Sequence, residues 1–437
     1  MVRDFADSRA VDRLFRRLDD GREALVALAR DLIRIPTVNP PGDAYGACAD
    51  YIGRRLAARG FQVEYLRAEG AVGDSARHPR VNVVARIEGR RAGPTIHFNG
   101  HMDVVDPGRG WTVDPFGALV RDGRIYGRGA CDMKGGIAAA ILAAEAIVAE
   151  GDFAGAIEIS GTVDEETGGY AGVAWLAGKG YFSTPRVDHV IIPEPLNKNC
   201  ICLGHRGVYW AEIETLGRIA HGSMPFLGVS AIRNMALFLA RVENELYPSL
   251  DRRPTRMPVI PDGARRSTLN FNSLHGGQAE GAVDDLLPPS SLVADSCRLM
   301  IDRRFLIEED VQTVKGEIVH LLESLKRERS DFDYRLRDVM TVLPLMTDAE
   351  SPLVRSLGAG IERVLGETAR HVVSPGTYDQ KHVARIGHLK DCVAYGPGIL
   401  EMAHQPDEFI VIEDMIQSAK VMAAATVSLL AGAPVQQ

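Results

Sequence analysis

A chain of 437 residues is longer than one hydrophobic core usually serves, so two domains and a sizeable core are expected. Its 50 lysines and arginines against 58 aspartates and glutamates give a formal charge of −8 without a long block of one sign, which argues against a nucleic-acid partner. The start, MVRDFADSRAVDRLFRR, lacks the apolar core of a signal peptide, the apolar stretch GIAAAILAAEAIVAE is too short for a membrane span and carries Glu145, and the six cysteines show no C-x-x-C pair. These features predict a cytoplasmic protein with reduced thiols and no membrane partner.

In chain order, residues 8–34 and 43–60 carry apolar positions at helical spacing, VNVVARI and PTIHFNG read as strands, and GGIAAAILAAEAIVAEG reads as a helix entered through two glycines. AIEISGTVDEE follows as a strand running into a loop, AGVAWLAGKG as a helix, and VDHVIIPEP as a strand stopped by proline. This alternation predicts an α/β sandwich with a mostly parallel central sheet. From about Gly204 the pattern changes. GVYWAEIETLG, STLNFNSLHGG, SLVADSCRLMIDRRF and FDYRLRDVM read as strands, with helices at SAIRNMALFLARVENEL and EEDVQTVKGEIVHLLESLKRE. The α/β pattern resumes with helices at LVRSLGAGIERVLG and EDMIQSAKVMAAATVSLLAG. The expected organisation is a catalytic domain of residues 1–203 and 344–437 interrupted at 204–343 by an open α+β, ferredoxin-like unit whose sheet edge could pair with a second copy.

The candidate chemistry lies just past the apolar strands. NGHMD, GACDM, VDEE, PEP and AHQPD place His101, Asp103, Asp132, Glu165, Glu166, Glu194 and His404 where ligands of open parallel sheets gather. Imidazoles and carboxylates together suit borderline divalent ions such as zinc, and a shared carboxylate could hold a pair of them. Asp132, Glu166, Glu194 and one hydroxide would balance two dications. His101 and Asp103 share a face in extended backbone, so the Asp103 carboxylate is expected to bond the other ring nitrogen of His101. Glu165 and Glu166 point apart in extended backbone, so one can bind metal while the other meets the attacking water. Lys134 is followed by Gly rather than Ser or Thr, Gly127 and Gly129 lack a third glycine, and no G-x-S-x-G is present. Phosphate-loop, dinucleotide and serine-hydrolase readings therefore fail.

In order and spacing, GHMDVV, GRGACDMKGG, VDEETGG, PEP, AHGSMP and AHQPDE resemble the family of dinuclear zinc hydrolases that holds acetylornithine deacetylase, succinyl-diaminopimelate desuccinylase, aminoacylase and glutamate carboxypeptidase. The resemblance implies that His101, Asp132 and Glu194 bind one cation and that Asp132, Glu166 and His404 bind the other. It further implies that Asp103 orients His101, that Glu165 is the general base, and that the Asp132–Met133 peptide is cis. By the same resemblance the insert is a dimerisation and lid domain, with His221 of AHGSMP stabilising an oxyanion in a neighbouring subunit. Asn270, Arg303, Gly376 and Thr377 match substrate-contacting positions. The stretch GAVDDLLPPSSLVADSC and Phe226 depart from the family pattern.

The resulting expectation is a homodimeric amidohydrolase with two divalent ions per chain, zinc first and cobalt or manganese next. It cleaves a small N-acyl amino acid or related N-acyl amine by a bridging metal-bound hydroxide. Rival readings are a dipeptidase or carboxypeptidase of the same chemistry, an N-formyl or N-carbamoyl amine hydrolase, and a non-catalytic metal-binding dimer. No base or ligand is missing from the motifs, which counts against the last.

Overall fold

Apolar runs bounded by glycine, proline and acidic turns become the central strands of a computed structural model that describes residues 8–151, 153–277 and 291–431. The 281–290 part of the divergent GAVDDLLPPSSLVADSC stretch lies outside the described residues. The chain divides into two compact units, residues 1–204 with 347–372 and 378–437, and residues 205–346 with 373–377. Among the described residues no helix is long and apolar enough to cross a membrane.

In the first unit the sheet runs in the order Gln62–Arg67, Val81–Glu88, Ala154–Thr162, Arg91–His101, His189–Ile192, Cys392–Ala394 and Cys200–His205. The four strands from Ala154–Thr162 to Cys392–Ala394 are mutually parallel, and Val81–Glu88 and Cys200–His205 flank them antiparallel. Helix Gly135–Glu150, apolar on every side apart from Glu145 and its last residue Glu150, is buried along nearly its whole length. Helix Ile412–Ala431 packs against it, and helix Pro352–Leu365 packs against Ile412–Ala431 in turn. A Cβ at Gly136 would stand 1.9 Å from the Pro193 carbonyl oxygen, so the glycine entry to this helix is what lets it approach the segment leading to Glu194. A small sheet of Leu119–Arg121, Arg124–Tyr126 and Phe409–Val411, not anticipated from sequence, joins the chain near Arg128 to the chain just after His404.

One expected helix is mostly lost. AGVAWLAGKG keeps only Trp175–Gly178 as α-helix, because Gly172 leaves helical geometry (φ −92°, ψ −114°) where its backbone meets Val163.

The second unit is a four-stranded antiparallel sheet in the order Thr268–Gly276, Ser296–Phe305, Gly207–Leu216, Asp333–Val342. With helices Ala231–Arg241 and Val311–Glu328 between strands, this is the expected ferredoxin-like βαββαβ order. Ser230 and Asp310 cap the two helices, accepting N–H groups of the first turn. The core lies between sheet and helices and includes Tyr209, Ile213, Phe238, Leu299, Ile301 and Ile318.

Candidate metal centre

Three neighbouring parallel strands deliver the site. Arg91–His101 ends on His101, Ala154–Thr162 ends three residues before Glu165, and His189–Ile192 ends two before Glu194. Asp132 lies in the turn that feeds the buried helix, after Gly129 (φ +82°), and the Asp132–Met133 peptide is cis. His404 comes from the loop before Phe409–Val411, itself at φ +63°. These segments bring together two overlapping donor groups, His101–Asp132–Glu194 and Asp132–Glu166–His404, each with its ligand atoms within 4.8 Å of one another.

Asp132 serves both groups with different oxygens. Its Oδ1 is 3.0 Å from His101 Nε2 and its Oδ2 is 3.3 Å from His404 Nε2. Glu194 Oε1 lies 3.9 Å from His101 Nε2, and Glu166 Oε1 lies 3.2 Å from His404 Nε2. Burial opposes charge on Asp132, yet hydrogen bonds from both imidazoles hold its carboxyl well below the usual range. Burial and then the Asp132 charge push Glu166 up to about 7 and Glu194 well above an ordinary carboxyl. Hydrogen bonds to Asp132 and Glu166 push His404 up to about 10. Burial disfavours a charged His101, but its bond to Asp132 and the nearby carboxylates raise it well above the normal histidine value. The two nitrogens and three carboxylates, gathered this closely, are the donors that suit divalent zinc-like ions. The residues would fit two dications, one held by His101, Asp132 and Glu194 and the other by Asp132, Glu166 and His404.

The structure corrects one contact. His101 Nδ1 bonds the backbone carbonyl of Asp103 at 3.0 Å, while the nearest Asp103 carboxylate oxygen is 3.8 Å away. That carboxylate is engaged elsewhere: it accepts the N–H groups of Glu165 at 3.2 Å and Glu166 at 3.1 Å, and Asn39 Nδ2 at 2.9 Å. The Asp103 carboxylate thus anchors the acidic turn, while its backbone carbonyl holds the imidazole edge.

Sequence reasoning missed the residues behind Glu165. Buried Lys381 places Nζ 3.4 Å from Glu165 Oε1. Asp379 is also buried and receives Asn99 Nδ2 at 3.2 Å; burial, and next the Glu165 charge, push it up to about 7. Asn99 shares a strand face with His97 and His101, opposite Ser160, Glu158 and Thr162 in register, so a buried polar stripe runs along two strands to the centre. Alternating polar residues inside an apolar strand were the signal for it. His97 is structural, bonded to Ser160 Oγ at 2.7 Å and 3.0 Å from Glu158. Cys131 is buried, and burial followed by the charge of Glu408 pushes its thiol well above its ordinary value, which disfavours the thiolate.

In the second unit His221 is exposed and bonds Ser223 Oγ at 2.7 Å. Asn270 is exposed on the Thr268–Gly276 strand. Arg303 does not reach a surface: it is 0% exposed and bonds Glu309 at 2.9 Å and Glu317 at 3.3 Å inside the unit. Leu299, Ile301, Arg303 and Phe305 alternate onto the buried face, so the opposite phase, Asp302 and Arg304, shares a face with Thr268 and Asn270. Gly376 and Thr377 fall with this unit, where Gly376 N–H bonds Ser374 Oγ at 3.2 Å.

The model of peptidase family M20/M25/M40 matches residues 97–427. The chain belongs to that peptidase family. This M20-family chain is similar to succinyl-diaminopimelate desuccinylase of Pseudomonas syringae pv. syringae, 30% identical over 92% of this chain and 98% of the relative. It is also similar to acetylornithine deacetylase of Myxococcus xanthus, 29% identical over 88% of this chain and 92% of that one. In fold it matches human carnosine dipeptidase 1 with a TM-score of 0.72 and 19% identity, over 96% of this chain and 98% of that one.

Proposed function

We propose that this M20-family hydrolase cleaves the amide bond of a small N-acyl amino acid or related N-acyl amine, using two divalent cations. The observation that carries this is the single carboxylate, Asp132, offered in two directions to two histidine–glutamate partners. When bound, the cations supply Lewis acidity toward a carbonyl and lower the pKa of water. The mixed nitrogen and carboxylate set favours zinc, and cobalt or manganese suit the same donors. Glu165, beside Lys381 and fixed through its N–H by Asp103, takes a proton from the attacking water and returns it to the leaving amine. The six cysteines, all buried and none in a disulfide, support a reducing, cytoplasmic setting.

The second unit is read as the dimerisation and lid domain. Thr268–Gly276 is an edge strand among the described residues, with Leu274 and the neighbouring Ile232 exposed, which suits pairing with a second copy. Asn270 and the Gly376–Thr377 loop are its substrate contacts in this reading. His221 lies in a loop with exposed Ile219, Phe226 and Leu227, and is assigned as an oxyanion donor to the partner's centre. Mixing inactive Glu165→Gln protein with inactive His221→Ala protein and exchanging subunits is expected to restore activity, since one site of each heterodimer is intact. Verified heterodimers as inactive as their parents contradict the trans assignment.

The names of the desuccinylase and deacetylase relatives support an N-acyl amino acid substrate, and the dipeptidase neighbour keeps the exopeptidase rival in view. Release of free amine from N-succinyl, N-acetyl, N-formyl and N-carbamoyl amino acids, measured against dipeptides with metal-replete protein, separates the two. Turnover of acyl compounds well above that of dipeptides is expected; the reverse order makes the chain a peptidase.

A further inference from the structure

Two of the loops that carry candidate ligands are tied together from behind by a buried ion pair that none of the steps above uses. Arg128 and Glu408 are 2% and 0% exposed, and Arg128 Nη1 donates to Glu408 Oε2. The other oxygen of Glu408, Oε1, accepts the backbone N–H groups of Cys131 at 2.8 Å and of Asp132 at 3.1 Å. From the other end, Arg128 Nη2 donates to the carbonyls of His404 at 3.2 Å and Pro107 at 3.3 Å, and Nη1 to that of Gln405 at 3.4 Å. The guanidinium also lies over the Trp111 ring, 5.3 Å from its centroid.

Replacing a buried ion pair with apolar side chains is often neutral or stabilising, so fold stability is a weak reason for this one. What apolar residues cannot do is hold the peptide of Asp132 and the carbonyl of His404 at the same time. His404 needs such a hold, because a non-glycine residue at φ +63° sits in a sparsely populated region. Glu166 is fixed separately, through Asp103. The planar guanidinium is suited to the task because its N–H groups fan out in a fixed fork, whereas a lysine offers a single point charge.

The geometry points to Arg128 and Glu408 as positioning residues that set the spacing between Asp132 and His404, and so the affinity of the Asp132–Glu166–His404 group for its cation. This rests on reading that group as a cation site. Neither residue belongs to a donor group. The His101–Asp132–Glu194 group shares Asp132 but not His404, so loss of Arg128 acts mainly on one of the two sites.

The test is titration of chelator-stripped, full-length protein with cobalt(II), followed by its visible absorption and by calorimetry. Wild type is expected to show two binding events, and His404→Ala, which deletes one, identifies which event belongs to that group. In Arg128→Lys that same event weakens by about 10- to 100-fold, the usual cost of losing an outer partner of a ligand, and its absorption bands change. The other event stays as in wild type. Should Arg128→Lys fold poorly, the double variant Arg128→Met/Glu408→Gln, which leaves no unpaired buried charge, is read in the same way. Two events at wild-type affinity in the Arg128 variants overturn the positioning role alone, as does equal weakening of both events, which marks a merely structural pair. Wild-type protein that takes up only one cation, or a His404→Ala variant that still binds two, overturns the site reading and with it the role of the pair.

Discussion

Glu165→Gln is expected to lower kcat by roughly 10²- to 10⁴-fold while cation content stays at the wild-type level, the size of effect that follows loss of a general base. Glu165 belongs to neither donor group, and its partner is the Lys381 ammonium at 3.4 Å rather than an imidazole. The neutral amide keeps the shape and the backbone bond from Glu165 N–H to Asp103, so the turn that also carries Glu166 is preserved. Steady-state kinetics beside elemental analysis of the same sample decides it. A variant that loses metal together with activity contradicts the separation of base from ligand.

Asp132→Ala is expected to abolish uptake of both cations and reduce turnover to background, because Asp132 is the one residue common to the two groups. Glu166→Gln serves as the graded comparison, since Glu166 belongs to only one group and its loss is expected to remove only one cation. Calorimetric stoichiometry on folded, stripped protein reads the contrast. If Asp132→Ala retains one tightly held cation, the carboxylate is not shared.

Much of this donor set is legible in the sequence, for a physical reason. His101 ends one buried strand and Glu165, Glu166 and Glu194 follow two others, and parallel strands side by side must deliver their ends to one edge. Which oxygen or nitrogen meets which partner was not legible. The Asp103 carboxylate binds the Glu165–Glu166 turn because two N–H groups lie closer to it than the ring of His101 does, a fact of loop geometry rather than of i, i+2 spacing. The Arg303 assignment failed for a reason the sequence does contain: Leu299, Ile301 and Phe305 put position 303 in the buried phase of its strand, and Arg304 in the other. The Arg128–Glu408 pair was invisible because its members are far apart in sequence and meet only through a small sheet of three-residue strands. Likewise AGVAWLAGKG has a helical pattern, but contact at Gly172 with Val163 overrides it.

The most direct measurement is hydrolysis of an N-acyl amino acid by chelator-stripped protein as zinc or cobalt is added back in known amounts per chain. The expected result is no turnover without metal, and activity that rises with added cation and levels off by two equivalents. Full activity in protein shown by elemental analysis to hold no divalent ion contradicts the account.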